Sequence, residues 1–287
     1  MKLGGCCSIK TAQKIGTYKR KYEPRPIQRY RCKTCKKTFS EASFEPEYQQ
    51  KKRWHNETIM MMLSSTMSIR RIAVVLKLNR KTVARKLEFL GRQARENMAR
   101  TMPDYTDVTA IQFDELQTTE HSKCKPLSVA MAVSENSRKI LGFTVSVMPA
   151  TGHLAKIARK KYGFRRDDRR QGLTALFKHL RSNFDDTLTF RSDECLYYQP
   201  ILKRYFPKST YHQFKGEKSA ISAQGELKKV VQDPLFWINH TFAMLRANIN
   251  RLIRKTWCTT KQRARLIDHI SIYAWVHNSI LTSIRRV

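Results

Sequence analysis

Three short runs rich in β-branched and aromatic residues, Val108–Phe113, Leu127–Val133 and Ile140–Met148, follow one another, with Ser134-Glu135-Asn136-Ser137 as the break between the last two. Runs of this length bounded by turn residues read as strands, and three in succession as a β-meander. The texture then changes. A basic segment, Lys156–Arg170, leads to a helical stretch around Leu173–Leu180, a strand at Thr187–Arg191 and a helix around Gln199–Tyr205. Strands that alternate with helices call for a mixed α/β layer, because the helices must cover the sheet. Pro234 stands where a helix can start, and Ile238, Phe242, Leu245, Ile249 and Leu252 follow at steps of 4, 3, 4 and 3, which predicts one long amphipathic helix. A final helix around Arg265–Ile280 repeats the pattern with Ile267, Ile270, Ala274 and His277.

Two differently textured regions precede this α/β part, and the expected division is 1–46, 47–103 and 104–287. The first is polar, basic and rich in Gly, Pro and Thr, so it needs a staple. Cys32-Lys-Thr-Cys35 supplies half of one. A tight turn holding two thiolates is one half of a tetrahedral zinc site, and Cys6-Cys7 is the only pair upstream that can complete it. Adjacent cysteines in extended backbone point in opposite directions, so both can ligate one ion only if the chain turns at Gly4-Gly5; otherwise the site has three protein ligands. Seven cysteines, four of them within the first 35 residues, suit metal ligation in a reducing compartment better than a disulfide framework.

The middle region is helical. Ile69, Ile72, Ala73 and Leu76 form one apolar face, Leu78 and Asn79 supply a turn and a cap, and Val83, Leu87 and Leu90 form a second face. This is a helix-turn-helix pattern, whose second helix would present Arg80, Lys81, Thr82, Arg85 and Lys86 to a major groove. An ordinary helical hairpin with solvated basic faces is the alternative. The preceding run Ile59-Met60-Met61-Met62-Leu63 reads as core of a first helix.

Charge narrows the partners. Lys and Arg number 56 against 23 Asp and Glu, for a net charge of +33. Such an excess strains a compact fold unless a polyanion neutralises part of it, which makes double-stranded DNA the first partner to expect. No apolar run is long enough to span a bilayer, and Met1–Lys10 lacks the apolar core of a secretory signal, so the expected place is the cytoplasm, on the nucleoid.

In so basic a chain the acidic residues are informative. Asp114 follows the strand Val108–Phe113 and Asp193 follows Thr187–Arg191, which puts both near strand ends of one sheet. Two such carboxylates can share magnesium or manganese, hard cations that activate a water or a 3′ hydroxyl against a phosphodiester. They can equally be turn or cap residues. Glu115 and Glu194 should face the other way by strand alternation. For a third ligand, Asn239 on the helix after Pro234 offers an amide oxygen, with His240 beside it and Glu226 as the carboxylate alternative. Arg246, Arg251 and Arg254 on the same stretch suit phosphate contacts.

Taken together, Arg29-Tyr30-Arg31-Cys32-Lys33-Thr34-Cys35-Lys36-Lys37-Thr38-Phe39-Ser40, the helix-turn-helix, Phe113-Asp114-Glu115-Leu116-Gln117-Thr118, Ser192-Asp193-Glu194 and the Arg-rich stretch Leu245–Thr256 resemble the bacterial and archaeal insertion-sequence transposases. The resemblance covers most of the chain. It implies a zinc ribbon, a ribonuclease H-like mixed sheet with flanking helices, and magnesium-dependent cleavage and strand transfer of DNA through an acidic triad. Asp114 and Asp193 would be its first two members. It also implies binding to the element's terminal repeats and to target DNA, and a homo-oligomer assembled there. Two departures accompany it: Gly4 stands where the first cysteine would be, and Asn239 where the triad usually has Glu. They leave open a variant active site or a DNA-binding protein without catalysis, and a basic RNA-binding protein is a third class that would explain the charge but not the aspartates.

Overall fold

A computed structural model of the chain describes residues 5–20, 25–48, 50–135, 137–215, 233–253 and 257–284. The chain divides into two compact units, Met1–His55 and Asn56–Val287.

The smaller unit is a three-stranded antiparallel sheet in the order β1 (Gln13–Tyr18), β2 (Ile27–Arg31), β3 (Thr38–Ser40). Its core is small: Cys7, Tyr30, Cys32 and Phe39 are buried together. Tyr30 and Phe39 sit opposite each other across β2 and β3 and stack with ring centroids 5.7 Å apart.

The larger unit begins with α1 (Asn56–Leu63), α2 (Ile69–Val75) and α3 (Arg80–Thr101). Local chemistry sets these boundaries. Ser68 Oγ accepts from Arg71 N to start α2, and Asn79 Oδ1 accepts from Lys81 N at 2.8 Å to start α3, in the capping role that the sequence assigns to Asn79. Ile59, Leu63, Ile72, Val83, Leu87 and Leu90 fill the space between the three helices. Of the methionines in α1, Met60 and Met62 pack against this core, while Met61 faces solvent. In place of a separate helical domain ending near residue 103, α3 continues along α8 (Arg263–Ile284). Gly91 permits the approach: a Cβ there would lie 2.6 Å from Asp268 Cβ. Asp268 in turn receives Arg95 Nη1 at 2.9 Å and Arg265 Nη1 at 2.8 Å.

The α/β part holds β4 (Ala110–Glu120), β5 (Ser122–Ser134), β6 (Ile140–Val147), α4 (Leu154–Tyr162), α5 (Arg169–Arg181), β7 (Thr189–Asp193), α6 (Tyr198–Tyr205), β8 (Thr210–Phe214) and α7 (Phe236–Asn248). The strands form one mixed sheet in the order β6-β5-β4-β7-β8. The meander β4-β5-β6 is antiparallel, whereas β7 and β8 run parallel to β4. One face, with Leu116, Val129, Met131 and Val133, packs on Ile238, Phe242 and Leu245 of α7 and on Leu266, Ile270 and Tyr273 of α8. The other, with Ile111, Phe113, Ala130, Ala132 and Phe190, packs on α5 and α6 through Leu176, Phe177, Leu180 and Leu202. Both faces are covered, so β5 reads as a continuous apolar run rather than an alternation.

Three expectations change. β4 and β5 extend well beyond the apolar runs into a long hairpin, because Asp114–Glu120 pair with β5 despite their polarity. The helix after Pro234 ends at Asn248; Ile249 is extended and a short 3-10 turn, Asn250–Leu252, follows, although all five apolar positions of the expected stripe are buried. Finally, α4 and β8 were not legible as elements: α4 buries only Ala158, and β8 has no buried position.

Candidate functional site

The polar centre of the sheet lies where β4 and β7 run side by side. Their parallel ladder pairs Ala110 with Thr189, Ile111 with Phe190 and Gln112 with Arg191. Two residues further along the same register come Asp114 and Asp193, on the face that also carries Gln112 and Arg191. Adjacent strands lie about 4.8 Å apart, so the two carboxylates are neighbours. Asp193 closes β7 as expected; Asp114 lies inside β4, four residues from its start, rather than at an end.

Burial dominates their electrostatics. Burial, and then the proximity of Asp193, push the Asp114 carboxyl up to about 7. Burial also raises Asp193, whose Oδ1 is shut off from solvent with no hydrogen-bond partner. Asp114 Oδ1 accepts from Glu115 N at 2.6 Å, and the hydroxyl of Tyr198, the first residue of α6, lies beside the same carboxylate. Burial and the three carboxylates of Asp114, Glu115 and Asp193 raise the Tyr198 phenol far above its ordinary range, so it remains protonated and can donate.

Glu115 turns to the opposite face, as alternation requires. Ser128 Oγ donates to its Oε2 at 3.0 Å, Tyr197 and Arg169 stand nearby, and Oε1 is buried without a partner. Glu194 is exposed.

A polar network seats α7 over the acid pair's face. Gln112 Nε2 donates to Glu135 Oε1 at 2.8 Å and to Pro234 O at 2.9 Å, while Ile238 N donates to Gln112 Oε1 at 3.1 Å. Arg191 closes the network through an ion pair with Glu135. Sequence spacing could not reveal these partners, and it also passed over Tyr198 and Asp233. Asn239 is exposed and gives its Nδ2 to Asp233 Oδ2 at 2.9 Å, and Asp233 Oδ1 accepts from Leu235 N at the start of α7. His240 takes Arg138 Nη1 at 2.9 Å and packs on Phe236, so it belongs to a different contact set from the acid pair. Glu226, the carboxylate alternative, lies outside the described residues, as do Gly4 and Arg254.

The cysteines in the smaller unit converge. The ligand atoms of Cys6, Cys7, Cys32 and Cys35 all lie within 4.8 Å of one another. Tetrahedral zinc with bonds of about 2.3 Å sets its sulfurs about 3.8 Å apart, so a small contraction closes the site. The chain turns at Gly5-Cys6, which brings the adjacent pair to one side, and Cys7 Sγ is 3.5 Å from Cys35 Sγ. In the turn between β2 and β3, Cys32 N donates to Lys37 O at 2.9 Å and Lys36 takes a φ of 59°. Backbone N–H groups of Cys35 and Thr34 pull the Cys32 thiol down to about 6, toward the thiolate that a metal needs.

The expected cationic contacts divide. Arg80, Lys81 and Arg85 are exposed at the start of α3, and Thr82 is half-buried among them. Lys86 is a correction: it is buried and donates to Asn56 Oδ1 of α1, because its position on α3 faces the three-helix junction rather than solvent. Arg251 is another. Its Nε is buried without a partner and its charge lies toward His269 and Asp268 of α8, so its role is inside the fold. Arg246 is half-buried in the last turn of α7. No helix among the described residues is long and apolar enough to cross a membrane.

No protein-family model matches the chain, and no curated protein matches it.

Proposed function

We propose that the chain is a DNA transposase of the insertion-sequence kind, with a zinc ribbon in its smaller unit and, in its larger one, a helix-turn-helix joined to a ribonuclease H-like catalytic sheet. The observation that carries the reading is the side-by-side placement of Asp114 and Asp193 on one sheet face, with a buried Asp193 oxygen that nothing in the described chain satisfies. A carboxylate pair so arranged is short of a cation. Support also comes from the strand order, with an antiparallel meander flanked by two strands parallel to its first member, and from a charge of +33.

Asp114 and Asp193 would hold magnesium or manganese. When bound, such an ion supplies Lewis-acid charge to a phosphoryl oxygen and lowers the pKa of an attacking water or 3′ hydroxyl. The chain's own residues do the rest. The Tyr198 hydroxyl orients the Asp114 carboxylate, the Gln112–Glu135–Arg191 network seats α7, and Arg80, Lys81 and Arg85 are available to phosphates and base edges of terminal-repeat DNA. In the ribbon, Cys6, Cys7, Cys32 and Cys35 would hold zinc as a structural ion.

The test is metal-dependent nicking and joining of a duplex bearing the DNA that flanks the gene, for the parent and for Asp114→Ala and Asp193→Ala. The expected result is loss of at least about 10³-fold in rate for each variant, since a two-ligand site loses its charge balance when either acid goes. Variants as active as the parent would overturn catalysis at these residues. One observation favours a second reading, a DNA-binding protein without catalysis: Asn239 stands where the resemblance expects a carboxylate and is bonded to Asp233. Binding without nicking by the parent in magnesium and in manganese would select it.

A further inference from the structure

The segment 154–170 carries eight Lys and Arg against two Asp, and the fold gives it order. α4 buries Ala158 and turns Lys156, Arg159 and Lys160 to solvent. It ends at Gly163, whose N–H returns to Arg159 O at 3.0 Å and whose φ of 74° is one that side chains other than glycine rarely adopt. Arg165 then pins the following loop to the β4–β5 hairpin. It donates to Met148 O at 3.1 Å and Pro126 O at 3.2 Å, with Glu120 at 3.8 Å. The two acids are already engaged, Asp167 by Arg169 at 2.7 Å and Asp168 by Arg166 at 3.4 Å, so the exposed cations of α4 are left in excess.

This positive track does not stop at α4. At its outer end Lys125 of β5 lies over the Tyr162 ring at 4.5 Å. At its inner end Arg169 and Arg170 lie over the Tyr197 ring at 5.8 and 5.6 Å. Tyr197 touches Glu115 and precedes Tyr198, whose hydroxyl is beside Asp114. Cations thus run from the hairpin to Tyr197 and Glu115, and Tyr198, next in the chain, reaches the acid pair. The same segment also exposes the apolar side chains of Ile157 and Phe164, as on surfaces that meet both phosphates and sugar or base faces.

We propose that α4 and its loop to α5 form a second DNA contact, independent of sequence, that binds the backbone of a duplex and leads it toward Asp114 and Asp193. The assignment rests on the nucleic-acid reading above and adds a partner surface to it. Most protein–DNA hydrogen bonds go to phosphates and sugars, and nothing here positions these flexible side chains against base edges, so this surface is assigned affinity and salt dependence, not sequence preference.

The experiment measures binding of an arbitrary 30-base-pair duplex across a salt series without divalent ions, for the parent and for the triple variant Lys156→Ala/Arg159→Ala/Lys160→Ala. Each lost phosphate contact removes about 0.9 from the slope of log K against log salt, so the triple variant is expected to fall short of the parent by about 2.7. The variant Lys156→Arg/Lys160→Arg keeps the charge and should keep the slope. All substituted side chains are exposed, and unchanged thermal unfolding confirms that the fold survives. A triple variant with the parent's slope overturns the assignment. So does a variant that loses only its binding to phosphatidylserine vesicles, which would assign α4 to an anionic membrane surface. A parent that binds no duplex at low salt removes the nucleic-acid reading itself, whereas a parent that binds, with an unaltered slope in the variant, removes only the role of α4.

Discussion

The two units hold themselves together by different means. In the larger one a sheet is covered on both faces, with aromatic side chains such as Phe113, Phe177 and Phe190 meeting edge to face at 5.0 to 6.3 Å. In the smaller one the buried cluster is four residues, and two of them are cysteines. Even with Ile27 and Ala42 also buried, a core built on Tyr30 and Phe39 cannot offset the backbone entropy of a three-stranded sheet. The same kind of cation therefore has opposite meanings in the two places: among the thiols it would be structure, and between Asp114 and Asp193 it would be chemistry added to a fold that stands without it.

The largest expected effect tests the first half of that contrast. Structural zinc contributes on the order of 10 kcal/mol or more to small domains, so a strong chelator, or Cys32→Ser, should unfold residues 5–48 entirely. Amide chemical shifts of that segment would collapse to unfolded values while the main thermal transition stays in place. A smaller unit that keeps dispersed shifts after metal removal would break the comparison.

The second effect is read on the larger unit. Magnesium at about one hundred times its dissociation constant should stabilise the parent by roughly 2.7 kcal/mol, a shift of about 5–10 °C for a domain of this size. Asp114→Asn and Asp193→Asn should lose the shift. Asp114→Asn should be at least as stable as the parent in metal-free buffer, since it removes a carboxyl that burial and Asp193 push up to about 7. Differential scanning calorimetry with and without magnesium separates these cases. A parent insensitive to the ion would leave both units with the same dependence on their own cores.

What could be read from sequence follows the range of the forces involved. Helix caps and apolar stripes are local, and Asn79, Val83, Leu87 and Leu90 behave as their spacing requires. Cys32 and Cys35 share one turn, so half of the cluster was legible; the arrival of Cys6 and Cys7 depends on the path of the chain around β1 and β2. Both aspartates were legible from the strands before them, but the alternating polar residues of Asp114–Glu120 hid the second half of β4. The network that seats α7 was not legible at all, because Gln112 and Pro234 are 122 residues apart. Lys86 misled for a related reason: its helix meets two others, and one face that a two-helix reading leaves in water is buried against α1.

A third effect tests whether the helical segment and the sheet of the larger unit act as one body. Gly91→Ala would put a methyl group 2.7 Å from the Asp268 Cα, which cannot swing aside as a side-chain tip could. Forcing α3 from α8 should cost about 2.5 kcal/mol, toward the upper end for overpacking, and should lower a single cooperative transition. Two separate transitions, one of them unmoved, would show that α1–α3 melt apart from the sheet.

The smallest expected effect is a dependence on pH below about 6.5 in the larger unit. His269, fully buried on α8, donates Nε2–H to Leu63 O of α1 at 2.8 Å, which leaves Nδ1 bare and without a partner. Burial, followed by the nearby charge of Arg251, holds this imidazole down to about 3. Above about pH 6.5 neither the folded nor the unfolded chain protonates it. As pH falls from there toward 3 the unfolded chain takes up a proton at this residue that the native state refuses, so the His269 contribution to stability drops by about 1.4 kcal/mol per pH unit, while Asp114, held up to about 7 in the native state, acts in the opposite direction between about pH 7 and 4. His277, also lowered by burial, acts in the same direction. Between pH 6.5 and 5 the His269 contribution to the two-state unfolding free energy should decline by roughly 1.6 kcal/mol, and His269→Gln should remove that part of the slope while retaining a donor to Leu63 O. An unchanged slope in the variant would mean that the imidazole is reached by water or protons in the native state, and that the seam between α1 and α8 opens more easily than the sheet beside it.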